Sequence, residues 1–185
     1  HYYKPGLVGG HCISIDPYYL AYKSKTKNYN PKIILSGRKL NESMASYVAS
    51  QTLNLIKDAN INLNNSRIAV LGFAFKENIP DIRNTKIIKI IDHLTKSNVK
   101  FDVFDPVVDK KEVRKIYQIQ IKNINELKKY KYDAIILAVS HREFLKKINY
   151  YSKFYKNRSK KIFIDLKNNY KLNDLIKNKF IYFQL

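Results

Sequence analysis

Arg67-Ile-Ala-Val-Leu-Gly72 decides the fold. From Ile68 onward it is a short apolar run with no polar alternation that stops at a glycine. A strand of that kind has both faces buried, as in a parallel sheet. Further runs follow at Lys100-Phe-Asp-Val-Phe104, Ile119 to Ile121, Tyr132-Asp-Ala-Ile-Ile-Leu-Ala-Val139 and Lys161-Ile-Phe-Ile-Asp165. Between them lie helical stretches at Thr85 to Ser97, with Ile87, Ile88, Ile91 and Leu94 on one face, at Ile124 to Tyr130 and at His141 to Ile148. Strands alternating with helices predict an α/β fold with a doubly wound, mostly parallel sheet. Ligands of such sheets sit beyond the C-terminal strand ends. Those ends are Gly72 to Arg83, Asp105-Pro106, Ser140-His141 and Asp165-Leu166-Lys167.

Upstream the pattern changes. Asn60 to Ser66 is polar and divides residues 1–65 from 66–185. Before it, Ile34, Leu35, Leu40, Met44, Tyr47, Val48, Leu53, Leu55 and Ile56 recur at helical spacing, predicting a long helix from about Pro31 to Asp58. The first 30 residues read as loop and then a short helix, with Asp16 as N-cap and Pro17 in the first turn. The chain opens without an initiator Met or an apolar signal core and is read as the C-terminal piece of a longer protein.

At 185 residues the chain holds one or two domains, and it has no apolar run near the roughly 20 residues that cross a bilayer. Its net charge of +20 favours anionic partners, but the lysines are spread along the whole chain as on a solvated surface. A non-catalytic basic module binding nucleotide or nucleic acid is therefore the alternative reading, and it predicts steeply salt-dependent binding. No helix-turn-helix, RNP-like strand or zinc-ligand spacing supports it, and no metal site is expected. The one cysteine permits no internal disulfide, which fits a cytoplasmic protein.

That cysteine follows two glycines, in Gly9-Gly10-His11-Cys12. Consecutive glycines let backbone approach a ligand closely, and a thiol beside His11 ahead of a helix suits a nucleophile. The same residues also suit a small buried hydrophobe after a turn. The second candidate is the loop Val70-Leu-Gly72-Phe-Ala-Phe75-Lys76, continuing through Asp81 to Arg83. It carries neither standard phosphate-loop pattern, yet Lys76 and Arg83 offer cations for a diphosphate and Phe75 a face for a base. An ordinary surface loop, with Asp81 and Arg83 paired across a turn, remains the other reading.

Both segments resemble the UDP-glucose/GDP-mannose dehydrogenase family. Lys4-Pro-Gly-Leu-Val-Gly-Gly-His-Cys12-Ile-Ser-Ile-Asp16-Pro-Tyr-Tyr-Leu20 is similar to its catalytic-cysteine segment. Leu71-Gly-Phe-Ala-Phe-Lys76-Glu-Asn-Ile-Pro-Asp81-Ile-Arg83-Asn-Thr85 is similar to the signature loop of its C-terminal domain. Asp105-Pro-Val-Val-Asp109 and Ser140-His-Arg-Glu-Phe144 follow in the family's order, and the wording is nearest to the branch acting on UDP-N-acetylhexosamines. Ser14 and Leu7 depart slightly from the pattern, as does Asp165-Leu-Lys167-Asn-Asn from Asp-x-Lys/Arg-Gly.

The resemblance implies the helical end of a central dimerisation domain followed by a Rossmann-like UDP-binding domain. It implies an NAD-dependent oxidation of a UDP-sugar to the acid, through a thiohemiacetal and thioester on Cys12, in surface polysaccharide biosynthesis. Asp16 matches the residue that positions or activates water. Gly9, Gly10, Phe75 and Lys76 match substrate-binding positions, and Arg83 matches an NAD-phosphate contact. A homodimer through the long helix is implied, with no nucleic acid or membrane partner. The chain contains no G-x-G-x-x-G, so on its own it is expected to be inactive.

Overall fold

The computed structural model describes residues 6–157 and 159–185; Lys4 and Pro5, named above, lie outside them. Six parallel strands form one sheet in the order β3-β2-β1-β4-β5-β6. They are β1 (Arg67–Leu71), β2 (Lys100–Phe104), β3 (Ile121–Lys122), β4 (Ala134–Leu137), β5 (Lys161–Asp165) and β6 (Phe180–Gln184). Val70 lies opposite Val103 on one side and Ile136 on the other, so β1 is central. Ile68 to Leu71, Ala134 to Leu137 and Ile162 to Ile164 have no exposed surface, as an apolar run covered on both faces requires. The strand order reverses between β1 and β4, the switch point where such sheets open a crevice.

The helices are α1 (Asp16–Thr26), α2 (Lys32–Asp58), α3 (Ile87–Lys96), α4 (Lys110–Tyr117) and α5 (Leu172–Lys177). Helix α2 and α3 cover one face of the sheet. Ala45, Val48, Ala49 and Ile56 share a core with Ile68, Val70, Ile90, Leu94, Ile136 and Ile162. Small residues bring α2 close to its neighbours, and this shifts its buried face away from the one expected. Leu40 and Tyr47 are exposed, while Arg38 and Thr52 are buried.

The other face has short 3-10 segments at Ile124–Lys129 and Ile148–Phe154, and its core is aromatic: Phe104, Tyr132, Phe144, Tyr151, Phe163 and Phe180. Large rings fill there the volume that helices fill opposite. The helix expected from His141 to Ile148 does not form. Tyr151 and Tyr170 donate their hydroxyls to the carbonyls of Phe144 and Lys146, which replaces the carbonyl pairing of a helix. Asp16 is the first residue of α1 rather than its cap; Ile15 holds the cap position, with no side-chain bond. The chain after Asp165, unassigned from sequence, supplies α5 and the edge strand β6.

Turns rest on asparagine. Asn28, Asn60, Asn78, Asn84, Asn98 and Asn168 have left-handed backbones, in a chain with only 5 glycines. Gly72 is one place where Asn would fail. At φ +99°, a Cβ there would stand 2.4 Å from Val139 Cβ, so β1 and β4 close over a position with no side chain.

Glu42 ties α2 to α3 through ion pairs with Lys86 and Lys89. Burial pushes its carboxyl up, but the two ammonium groups outweigh it and hold the pKa down to about 2 from 4.5. A depressed folded-state pKa stabilises fully above the unfolded value and is lost as pH falls through the folded one. Glu42→Gln is therefore expected to lower the melting temperature at pH 7, followed by circular dichroism. The gap to the wild type narrows between 4.5 and about 2, where the carboxylate is lost. A gap that does not change with pH would remove the ion pairs from the account.

Candidate active site

The loop after β1 is held from beneath by Asp105, at the end of β2. Asp105 Oδ2 accepts from the N–H of Phe73 at 2.6 Å and of Ala74 at 3.0 Å, and Oδ1 accepts from Val107 and Val108. His141 Nε2 donates to Oδ2 at 3.0 Å, while His141 Nδ1 accepts from Asn78 N–H at 2.9 Å, which assigns the ring proton to Nε2. Asn78 Oδ1 accepts from Arg142 N–H in turn. Thus Asp105-Pro106 and Ser140-His141, separate strand ends in the sequence, meet under the signature loop. Burial pushes the Asp105 carboxyl up, but His141 and the backbone donors outweigh it and hold it below the usual carboxylate range. Both oxygens are occupied, so Asp105 is not free to bind a ribose as an acid at that strand end often does.

The cysteine loop lies on top of this platform. Gly10 takes φ +86°, and a Cβ on it would stand 2.9 Å from the Phe75 ring; one on Gly9 would stand 2.6 Å from the Asn84 carbonyl oxygen. The paired glycines therefore let this loop sit on residues 75–84. Asn84 Nδ2 donates to the Gly10 carbonyl at 3.2 Å, and the His11 ring meets Phe75 edge-on, centroids 6.2 Å apart. His11 Nδ1 lies 3.7 Å from Asp81 Oδ2. Asp81 in turn accepts from both Nε and Nη2 of Arg83, and the resulting pairing holds the Asp81 carboxyl below its ordinary value. Arg83 is pushed up by the hydrogen bond to the same carboxylate.

Cys12 is exposed, which excludes the reading as a small buried hydrophobe. Its carbonyl accepts from the N–H of Ile15 and of Asp16, a tight turn that starts α1 just beyond the thiol. Asp16 and Lys76 are exposed, and Phe75 is half-buried. The structure thus joins the Gly9-Gly10-His11-Cys12 loop to Phe75 and, through His11 and Asp81, to Arg83, with Asp16 one turn beyond the thiol and Lys76 beside Phe75. Arg83 is open to solvent and keeps its Nη1 donors free of Asp81, so it can hold a phosphate oxygen.

Two residues enter that sequence reasoning left without a role. Asn84 is one. The other is Lys167, past the end of β5, which lines a narrow cleft at the switch point with Leu7, Ala74, Phe75, Glu77 and Val139. Asn168 follows at φ +52°, so it adopts the backbone that the glycine of Asp-x-Lys/Arg-Gly would supply. A cavity of about 310 Å³, lined by Ser14, Tyr18, Asn84, Lys86, Lys89 and Tyr117, opens on the other side of the cysteine loop. A larger one of about 610 Å³, past β2 and β3, contains none of the expected site residues.

Comparison with known proteins gives the same answer from outside. Residues 69–172 match the UDP-glucose/GDP-mannose dehydrogenase family, UDP binding domain, and residues 1–43 match the central domain of that family. The chain is 51% identical to a UDP-N-acetyl-D-glucosamine 6-dehydrogenase of Salmonella typhi, over 77% of the chain and 33% of the relative. It is 44% identical to the protein of that name in Pseudomonas aeruginosa, over the same shares. Among solved structures, a UDP-D-ManNAc dehydrogenase from Pyrococcus horikoshii superposes with a TM-score of 0.80 at 29% identity, covering 100% of this chain and 40% of that one. The chain thus spans about a third of the length of the curated relatives it matches. A sheet that opens at its switch point, an exposed thiol seated on the nucleotide-domain loop, and two family matches in chain order place this protein in the UDP-glucose/GDP-mannose dehydrogenase family.

Proposed function

We propose that this chain is the catalytic-cysteine and UDP-binding part of an NAD-dependent dehydrogenase. It would convert a UDP-N-acetylhexosamine to the UDP-uronic acid for surface polysaccharide synthesis. The observation that supports the reading is the seating of Gly9, Gly10 and His11, which precede Cys12, on Phe75, Asp81 and Asn84 of the loop that carries Lys76 and Arg83.

In the proposed chemistry the sugar's primary alcohol is oxidised to the aldehyde, and the Cys12 sulfur adds to that carbon while the oxygen takes a proton. The thiohemiacetal so formed still carries a hydrogen on carbon, and losing it as hydride, with the hydroxyl proton passing to solvent, leaves a thioester. Water adds to the thioester, the C–S bond breaks, and the thiol and the carboxylate are released. Two NAD molecules, bound in succession, would each accept one hydride. Asp16, exposed one turn beyond the thiol, orients the attacking water, and Arg83 holds a phosphate of the dinucleotide. Phe75 and Lys167, which line the cleft at the strand ends, and the exposed Lys76 next to Phe75 would contact the nucleotide part of the substrate.

The enzyme is proposed to assemble as a homodimer along α2, whose outer face exposes Ile33, Leu40 and Tyr47. Among the described residues, no helix is long and apolar enough to cross a membrane.

The test is stoichiometry in the full-length polypeptide that carries this chain. About two NADH are expected per UDP-sugar consumed, with the acid as product. One NADH with aldehyde accumulating would contradict the covalent route. This chain alone, assayed under the same conditions, is expected to form no NADH, since it carries no dinucleotide fingerprint.

A further inference from the structure

We infer that Asn84 is the positioning residue that holds the Cys12 thiol in register with the nucleotide-binding loop. The role rests on the proposed dehydrogenase chemistry and gives a function to a residue that the motif assignments left idle. Asn84 touches the cysteine loop in two ways. Its side-chain amide donates to the Gly10 carbonyl at 3.2 Å, and its own carbonyl occupies the space that a Gly9 side chain would need. Among the described residues this is the hydrogen bond that joins the loop before Cys12 to the loop of residues 73–85; His11 and Asp81 meet only at 3.7 Å. The Ser14 hydroxyl also donates to the Gly10 carbonyl, but from within the cysteine loop, so it braces that turn without fixing where the turn sits.

The backbone of Asn84 makes the role testable. At φ +52° it occupies the left-handed region, which glycine and asparagine tolerate and most residues do not. Asn84→Gly therefore removes the amide donor without straining the turn. Asn84→Asp keeps the shape and sets a carboxylate oxygen against the Gly10 carbonyl. Both variants leave Phe75, Lys76 and Lys167 untouched. A thiol displaced by about an ångström loses its approach to a bound aldehyde, and losses of ten- to a hundredfold in rate are typical of such displacements.

The experiment measures the full-length enzyme in two ways: NADH formation from the UDP-sugar, and alkylation of Cys12 by iodoacetamide without nucleotide, followed by peptide mass. In Asn84→Gly and Asn84→Asp, kcat is expected to fall about tenfold or more while KM for the UDP-sugar stays within about twofold. Ser14→Ala, local to its own turn, is expected to keep kcat within about threefold. Alkylation of Cys12 in Asn84→Gly is expected to differ about threefold from wild type, because releasing the loop changes the surroundings of the exposed thiol. A kcat within about twofold of wild type in Asn84→Gly overturns the role, as does a KM that rises in step with the loss of rate, which would make Asn84 a binding contact. Failure of the underlying functional reading would be visible in the wild type itself, as absence of NADH. The alkylation comparison would then decide the matter alone, and equal rates in wild type and Asn84→Gly would overturn the proposal.

Discussion

Replacing Cys12 with alanine in the full-length enzyme is expected to lower acid formation about a thousandfold or more, because the variant removes the bond-forming atom itself. Without sulfur the aldehyde must wait for water to hydrate it before a second hydride can leave. The first oxidation needs no thiol, so a trace of aldehyde and about one NADH per sugar mark the residual reaction. Affinity for UDP is expected to stay within about twofold, since Phe75, Lys76 and Lys167 are unchanged and Cys12 is an exposed side chain. Isothermal titration with UDP and product analysis by mass spectrometry read the two quantities separately. Acid formation at wild-type rate in Cys12→Ala would end the covalent mechanism.

Asp105→Ala carries the second large effect, and it acts on the fold. The carboxylate is 2% exposed and accepts from four backbone N–H groups and from His141. Alanine leaves those donors buried without a partner, and losing one member of such a network costs about 3–5 kcal/mol. A domain stabilised by about 5–15 kcal/mol gives up a large share of that, equivalent to roughly 10 °C or more in melting temperature for a chain of this size. The loss is local before it is global, because the released donors belong to the loop that carries Phe75 and supports Gly10. UDP binding is therefore expected to weaken well below the melting point in Asp105→Ala, while Cys12→Ala leaves it intact. The depressed carboxyl adds a pH signature. Its contribution is full above the usual carboxylate range, near pH 4, and disappears as acid protonates it. Equal thermal stability of wild type and Asp105→Ala at pH 7 would show that the network is ornamental.

What the sequence discloses follows from the forces that act on each segment. Strands β1, β4 and β5 are legible because a strand covered on both faces must be apolar throughout, and few other structures need such runs. Helix α2 is legible as a helix, but not in its orientation. The pattern weights large side chains, while packing against the sheet and α3 selects Ala45, Ala49 and Thr52 and leaves Leu40 outside. The stretch from His141 misleads because its carbonyls are claimed by tyrosines that are distant in sequence. The edge strand β6 escapes notice because its residues are mostly half-buried and show no clean alternation.

The site divides in the same way. Cys12, Asp16 and the Phe75–Lys76 pair are visible as motif positions. The contact between Asn84 and Gly10 spans 74 residues and is created by the fold alone. The turns are hidden too, since a chain poor in glycine places asparagine at its left-handed positions, where composition reads it as an ordinary polar residue. Asn168 is the clearest instance, because there an asparagine holds the left-handed backbone that glycine adopts readily.

The most direct measurement acid-quenches the full-length enzyme during turnover of its UDP-sugar and maps the adduct by peptide mass. A UDP-sugar acyl group on the peptide containing Cys12, absent from Cys12→Ala and lost on standing as acid appears, is the predicted result. Steady acid production with that peptide unmodified at every quench time would contradict it.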